Sequence, residues 1–249
     1  MTPPMLEVRG LTRRFGGLAA LSEVNVSVPA GRTLGVIGPN GSGKSTFINV
    51  VTGHLKPSAG TVVIGGRDLT GARPWTVAKA GVGRTFQVVK PFRGMSVREN
   101  VSVAATYGAR GRTAAGAAKL TADVLERVGL AGQAERAPAE LSVADARRLE
   151  LAKALALEPR LLFLDEVLAG LRPVEIDPAL ALIRELAAEG VTVVVVEHVV
   201  RAIVEVSDEV LVLHEGKVLT SGPPDRVMAD PQVIEAYLGH RYARRGGEG

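Results

Sequence analysis

The chain has 249 residues, 46% hydrophobic and 22% charged, a balance that supports a packed interior and excludes a disordered chain. The absence of cysteine excludes disulfides, thiol chemistry and a cysteine-based zinc site, and aromatics at 4% disfavour base stacking on single-stranded nucleic acid. A formal charge of +4 is carried partly by Arg241, Arg244 and Arg245, which suit a solvated tail or a contact with anionic lipid or a partner subunit.

The opening Met1-Thr2-Pro3-Pro4-Met5 lacks the basic-then-apolar order of a signal peptide. Residues 6–8 and 21–28 alternate apolar and polar side chains and read as half-exposed strands. Residues 29–31 form a turn, and Thr33-Leu34-Gly35-Val36-Ile37 is a strand buried on both faces. It runs into a glycine loop, residues 38–46, followed by helical pattern over 44–52, with Gly53 suited to the helix end. Residues 61–64 predict a further strand.

From about 96 to 140 the pattern is helical and alanine-rich, with breaks at Gly108, Gly111 and Pro138. A strong helix follows over 144–157 and stops at Pro159. Residues 161–164 are a buried strand ending at Asp165-Glu166; 178–188 are helical; 191–196 are a second buried strand ending at Glu197-His198. Residues 210–213 and 217–219 predict a hairpin around Glu215-Gly216, and 231–238 a last helix. The longest aliphatic run, 193–196, falls far short of the ~20 residues a membrane-spanning helix needs. Strands alternating with helices imply an α/β core with a mainly parallel sheet, beside an antiparallel layer and a helical insertion.

The glycine loop, Gly38-Pro39-Asn40-Gly41-Ser42-Gly43-Lys44-Ser45-Thr46, fits G-x-x-x-x-G-K-[ST] between a strand and a helix. Glycines let backbone N–H groups turn inward on a β-phosphate, and the helix N-terminus adds positive potential. Lys44 supplies charge to β- and γ-phosphates, and the Ser45 hydroxyl is a hard oxygen ligand for Mg²⁺. The pattern predicts ATP and Mg²⁺ binding. Asp165 ends its strand at the sheet edge where ligands bind in open α/β folds, placed to orient Mg²⁺, and Glu166 to polarise an attacking water. Gln87 follows Gly83-Arg84-Thr85-Phe86, and His198 ends its own strand. Residues of either type are commonly surface or satisfied core, yet here both point toward the γ-phosphate edge.

In this order the motifs resemble the ABC transporter ATPase subunits, over roughly residues 5–239. The resemblance implies a P-loop NTPase with a RecA-like core, an antiparallel β-subdomain and an α-helical subdomain at about 88–150, leaving 240–249 as a basic tail. It further implies that Phe15 stacks on adenine, that Gln87 joins the metal site, and that His198 is a switch residue in catalysis with Glu166 and Lys44. A closer likeness is to the ATP-binding subunits of branched-chain amino-acid importers. It rests on Arg14-Phe15-Gly16-Gly17-Leu18, Arg84-Thr85-Phe86-Gln87, the stretch 95–101, Ala169-Gly170-Leu171 and the ending 233–239. That subfamily also serves other amino acids, amides and urea. The implied partners are a second ATPase subunit, different or identical, two transmembrane permease subunits and, indirectly, a substrate-binding protein. The implied location is the cytoplasmic face of the membrane, with Phe86, Val88, Val89, Pro91 and Phe92 facing the permease or packing within the insertion. Nucleic acid is not expected as a partner.

The family's Leu-Ser-Gly-Gly-Gln signature reads Leu141-Ser142-Val143-Ala144-Asp145 here, Val167 replaces proline after Glu166, and Arg172 stands where Asp or Asn is frequent. Val143 and Ala144 restrict a loop whose glycines allow close backbone approach. Asp145 adds negative charge near a partner's phosphate unless it faces away. Two other readings stand beside the importer ATPase. One is a soluble ABC ATPase working on nucleic acid or ribosomes. The other is a regulatory ATP-binding subunit that hydrolyses weakly.

Overall fold

A computed structural model describes residues 3–108, 112–197 and 199–238, with Tyr237 and Leu238 described through their backbone only. The ten strands among the described residues fall into two sheets. A six-stranded sheet has the order β10-β9-β3-β8-β7-β6, and a four-stranded sheet the order β2-β1-β4-β5. The first holds β3 (Thr33–Ile37), β6 (Val82–Arg84), β7 (Leu161–Asp165), β8 (Thr192–Val196), β9 (Glu209–His214) and β10 (Lys217–Gly222). All its pairings are parallel except the β9–β10 hairpin.

Strands β3, β7 and β8 are buried along their whole length, as continuous apolar runs demand when both sheet faces are covered. Alternate residues serve different cores. Leu162, Leu164, Val193 and Val195 face the core shared with the larger helices, α3 (Val97–Tyr107), α4 (Ala114–Arg127), α5 (Val143–Leu155) and α6 (Pro173–Ala188). Leu161, Phe163, Val194 and Val196 face the second core, with α1 (Lys44–Val51), α2 (Pro74–Lys79) and the smaller sheet. That sheet is antiparallel throughout: β1 (Leu6–Phe15), β2 (Leu18–Val28), β4 (Ala59–Ile64) and β5 (Arg67–Asp68).

The early strands run further than alternation alone predicts. Register shifts between Val8 and Arg14 let β1 and β2 stay paired while the alternation breaks. Helix α6 starts at Pro173, five residues before its expected start at Pro178, which therefore lies inside it. Pro173 takes the first-turn place where the missing N–H costs nothing, and Glu175 folds back onto Arg172. Three further helices, α7 (Val200–Val206), α8 (Pro224–Met228) and α9 (Pro231–Leu238), close the chain. Of the expected breaks, Gly111 lies outside the described residues, as do residues 239–249.

Candidate functional site: a phosphate loop facing two strand ends

The loop between β3 and α1 is held open by its glycines. Gly38 and Gly43 adopt φ of 155° and 108°. A Cβ on Gly38 would lie 2.1 Å from the Leu213 carbonyl and 2.5 Å from Ser42 Oγ; on Gly43 it would lie 2.7 Å from the Ala20 carbonyl. Neither place accepts a side chain. Gly43 precedes helix α1 with no side-chain cap, and the first turn holds no acidic residue, which leaves its N–H groups open to an anion.

Lys44 is buried, and its Nζ donates to the carbonyls of Gly38 (2.7 Å) and Pro39 (3.0 Å), so the ammonium lies inside the curve of the loop. Burial lowers its pKa, opposed by the nearby carboxylates of Glu166 and Asp165. Ser45 and Thr46 occupy the first turn of α1, with Ser45 exposed; Asn40 and Gly41 form the exposed tip. Ser42 Oγ is buried with no hydrogen-bond partner among the described residues.

Beside the loop, β7 ends in Asp165, which is buried. Its backbone N–H donates to Thr85 Oγ1 at 3.0 Å, and its Oδ2 accepts from Arg84 Nη2 at 3.3 Å. Burial raises the Asp165 pKa, and the Arg84 charge opposes the rise. Glu166 follows in the left-handed region at φ 51°, an uncommon conformation for a non-glycine residue. Its N–H donates to the Val196 carbonyl at 2.9 Å, and its Oε2 accepts from Gln87 Nε2 at 2.6 Å. The structure thus brings Lys44, Gln87, Asp165 and Glu166 to one edge of the sheet. His198 lies outside the described residues; the strand before it ends at Val196, paired with Asp165.

These residues fit a magnesium nucleotide. An uncapped helix start, glycines with no room for Cβ and a buried ammonium suit a polyphosphate. The hard oxygens of Ser45, Gln87 and Asp165 suit Mg²⁺, which takes one or two protein carboxylates and otherwise uses water and phosphate. Among the described residues no cluster of three or more His, Cys, Asp or Glu side chains could hold a metal alone.

Two other expected positions lie apart from this edge. Phe15 ends β1 as an exposed residue, and the Arg13 guanidinium lies 4.6 Å from its ring centroid. Ser142 caps α5, accepting from the Asp145 N–H at 3.1 Å. Its hydroxyl donates to Asp145 Oδ2 at 2.8 Å, and Arg148 pairs with the other carboxylate oxygen at 3.1 Å. Asp145 therefore turns back onto its own helix start. Its carboxyl stays below the usual range despite desolvation, held by bonds from Gln133, Ser142 and Arg148. Val143 is exposed and Ala144 buried.

Sequence reasoning missed the cation in the middle of the site. Arg84 bonds Asn49, Thr52 and Asp165 together. Its one signal was a charged residue on a short apolar stretch three places before Gln87.

A glycine loop wrapped around a buried lysine, opposite a strand ending in two carboxylates, defines a P-loop nucleoside triphosphatase. The ABC transporter family profile matches residues 21–169, and that of the branched-chain amino acid ATP-binding cassette transporters matches 217–243. The chain is 39% identical to the high-affinity branched-chain amino acid transport ATP-binding protein BraF of Pseudomonas aeruginosa, over 96% of this chain and 99% of the relative. Identity to LivG of Escherichia coli, which carries the same description, is 38% over the same shares. A nucleotide-free ATP-binding cassette from an ABC transporter superposes with a TM-score of 0.84 at 29% identity, over 95% of this chain and 100% of that one. The ADP conformation of MJ1267, an ATP-binding cassette of an ABC transporter, gives 0.83 at 29%, over 96% and 100%. The chain belongs to the ABC transporter family, as an ATPase with a RecA-like core, an antiparallel β-subdomain and a helical subdomain.

Proposed function

We propose that this chain is the ATP-hydrolysing subunit of an importer for branched-chain amino acids, working with two permease subunits and a second ATPase subunit. The observation that carries the catalytic part is the 2.6 Å bond between Gln87 Nε2 and Glu166 Oε2 beside Lys44 and Asp165. It supports reading Glu166 as the carboxylate that polarises water, next to an amide on the segment that leads into the helices α3–α5. Lys44 and the loop N–H groups hold the phosphates, Ser45, Asp165 and Gln87 hold Mg²⁺, which neutralises phosphate charge, and Phe15 offers its face to adenine. His198 completes the set as the switch residue. Helices α3–α5 form the subdomain that moves when a nucleotide dimer closes, and Gln87 is its hinge. The names of the relatives support the substrate class. The chain would attach peripherally at the cytoplasmic face of the membrane; among the described residues no helix is long and apolar enough to cross one.

Co-purification from detergent-solubilised membranes tests the assembly: two polytopic subunits and a second small ATPase should come with this chain. Reconstituted vesicles should then take up labelled leucine, isoleucine or valine when ATP is supplied on this subunit's side. Recovery of ribosomes or nucleic acid without membrane subunits would sink the proposal.

One observation favours a refinement. The Ser142 hydroxyl proton is already given to Asp145, so this chain offers its partner's phosphate a weaker donor than it receives. In a heterodimer the two composite sites would turn over unequally. Single-turnover assays with Glu166→Gln here, or the equivalent change in the partner, separate the sites; equal losses count against asymmetry.

A further inference from the structure

Arg84 opens the Arg84-Thr85-Phe86-Gln87 stretch without an expected role of its own, yet its guanidinium joins three parts of the site. Nη1 donates to Asn49 Oδ1 at 2.7 Å and to Thr52 Oγ1 at 3.0 Å. Asn49 lies on α1 and Thr52 caps its end, and α1 is the helix whose first turn carries Ser45. Nη2 reaches Asp165 Oδ2 at the end of β7, and the pair is 10% and 5% exposed at its side chains. The Phe86 ring, next to Gln87, lies 4.9 Å from the guanidinium carbon, and His54 meets the far side of the cluster edge-on to Phe86 at 5.5 Å.

Burying this charge is costly unless it is paired and hydrogen-bonded. The two terminal nitrogens of the planar fork answer that demand on two different elements, which a lysine's single ammonium could not do in the same geometry, while Nε is buried with no hydrogen-bond partner among the described residues. What the contacts accomplish is mechanical: they fasten the Asp165 carboxylate to the helix bearing Ser45.

We infer that Arg84 is a positioning residue, which locks Asp165 and the phosphate-loop helix into one unit so that carboxylate and Ser45 hydroxyl meet Mg²⁺ together. This rests on the proposed reading of Asp165 and Ser45 as the metal-holding pair. Phe86 stacks on the same guanidinium, so a displacement of the Gln87 segment is felt at Asp165. Partners that orient a metal-binding carboxylate are worth about 10- to 100-fold in metal affinity.

Titration of the full chain with a fluorescent ATP analogue, once with Mg²⁺ and once with EDTA, reads this directly. The quantity of interest is the ratio of the two dissociation constants, the gain that Mg²⁺ confers. Arg84→Met should shrink that gain about tenfold while leaving EDTA affinity within about twofold; Arg84→Lys should recover part of it. Asn49→Ala keeps both charges but removes one anchor, and should shrink the gain by about threefold, which keeps the test alive if Arg84→Met does not fold. Asp165→Ala serves as the reference. If it abolishes the gain while Arg84→Met and Asn49→Ala leave it whole, Arg84 is structural only and the inference fails. If Asp165→Ala itself leaves the gain whole, the metal reading fails first and the inference falls with it.

Discussion

Ser142 and Asp145 form a closed pair: the hydroxyl donates to the carboxylate at 2.8 Å while accepting from the Asp145 N–H at 3.1 Å. Two substitutions in the signature stretch were expected to restrict the loop, and a third to set a negative charge near a partner's phosphate. Instead the charge is folded onto its own helix and Arg148, a favourable place for an anion. On the proposed reading of this loop, what the pairing withholds from a partner's phosphate is the serine proton.

Replacing Asp145 with Ala frees that proton. In a reconstituted dimer, turnover at the partner's composite site should rise roughly tenfold, the worth of one charge-assisted hydrogen bond. Because the Ser142–Asp145 N–H cap remains, the melting temperature should change little. Unchanged turnover in a single-turnover assay would mean Ser142 never reaches the partner's phosphate.

Glu166→Gln retains the shape of the residue and its contact with Gln87, but removes the carboxylate. ATP hydrolysis should fall by about 100-fold or more, the range of a lost general base, with nucleotide affinity held. Comparable activity in wild type and variant would place the base elsewhere.

Gly38→Ala forces a Cβ to within 2.1 Å of the Leu213 carbonyl, a backbone atom that cannot step aside without moving β9. We expect a loss of about 2–4 kcal/mol in urea unfolding, with loss of nucleotide binding. Gly41→Ala is the control for crowding: a Cβ there has nothing within 4 Å, though its φ of 78° still costs some strain.

His54 carries a pH dependence. Partial desolvation, then the charges of Arg84 and Lys90, hold its pKa below 6.5, with a bond at Thr52 opposing them. On acidification the unfolded chain takes up this proton first. Stability is therefore lost as pH falls from 6.5 toward the folded value, and the slope is positive in that window. His54→Phe should flatten the slope in melting curves collected from neutral to mildly acidic pH. A slope that survives the substitution belongs to another group.

Much of this molecule was legible in the chain. Residues 34–37, 161–164 and 193–196 carry no polar or charged side chain, and only a strand covered on both faces buries such a run; they form the bulk of β3, β7 and β8. The glycine loop was legible because its chemistry tolerates few alternatives at four positions. Shorter elements were not legible. Strand β6 has three residues, too few for a period, and exists because it pairs with β7. Helix α6 was placed late because Pro178 looks like a first-turn proline as much as Pro173 does.

The sequence by itself determined the chemistry available: a phosphate loop, two carboxylates at a strand end, a glutamine and a histidine in a fixed order. Only the tertiary structure decided how those groups are committed. It paired Gln87 with Glu166 across 79 positions of chain, seated Arg84 between Asp165 and α1, and turned Asp145 back upon Ser142. The reason is physical. Residue type sets what a side chain can donate or accept, whereas which partner it meets depends on contacts between segments far apart in sequence, brought together by burying two apolar cores on either side of one sheet.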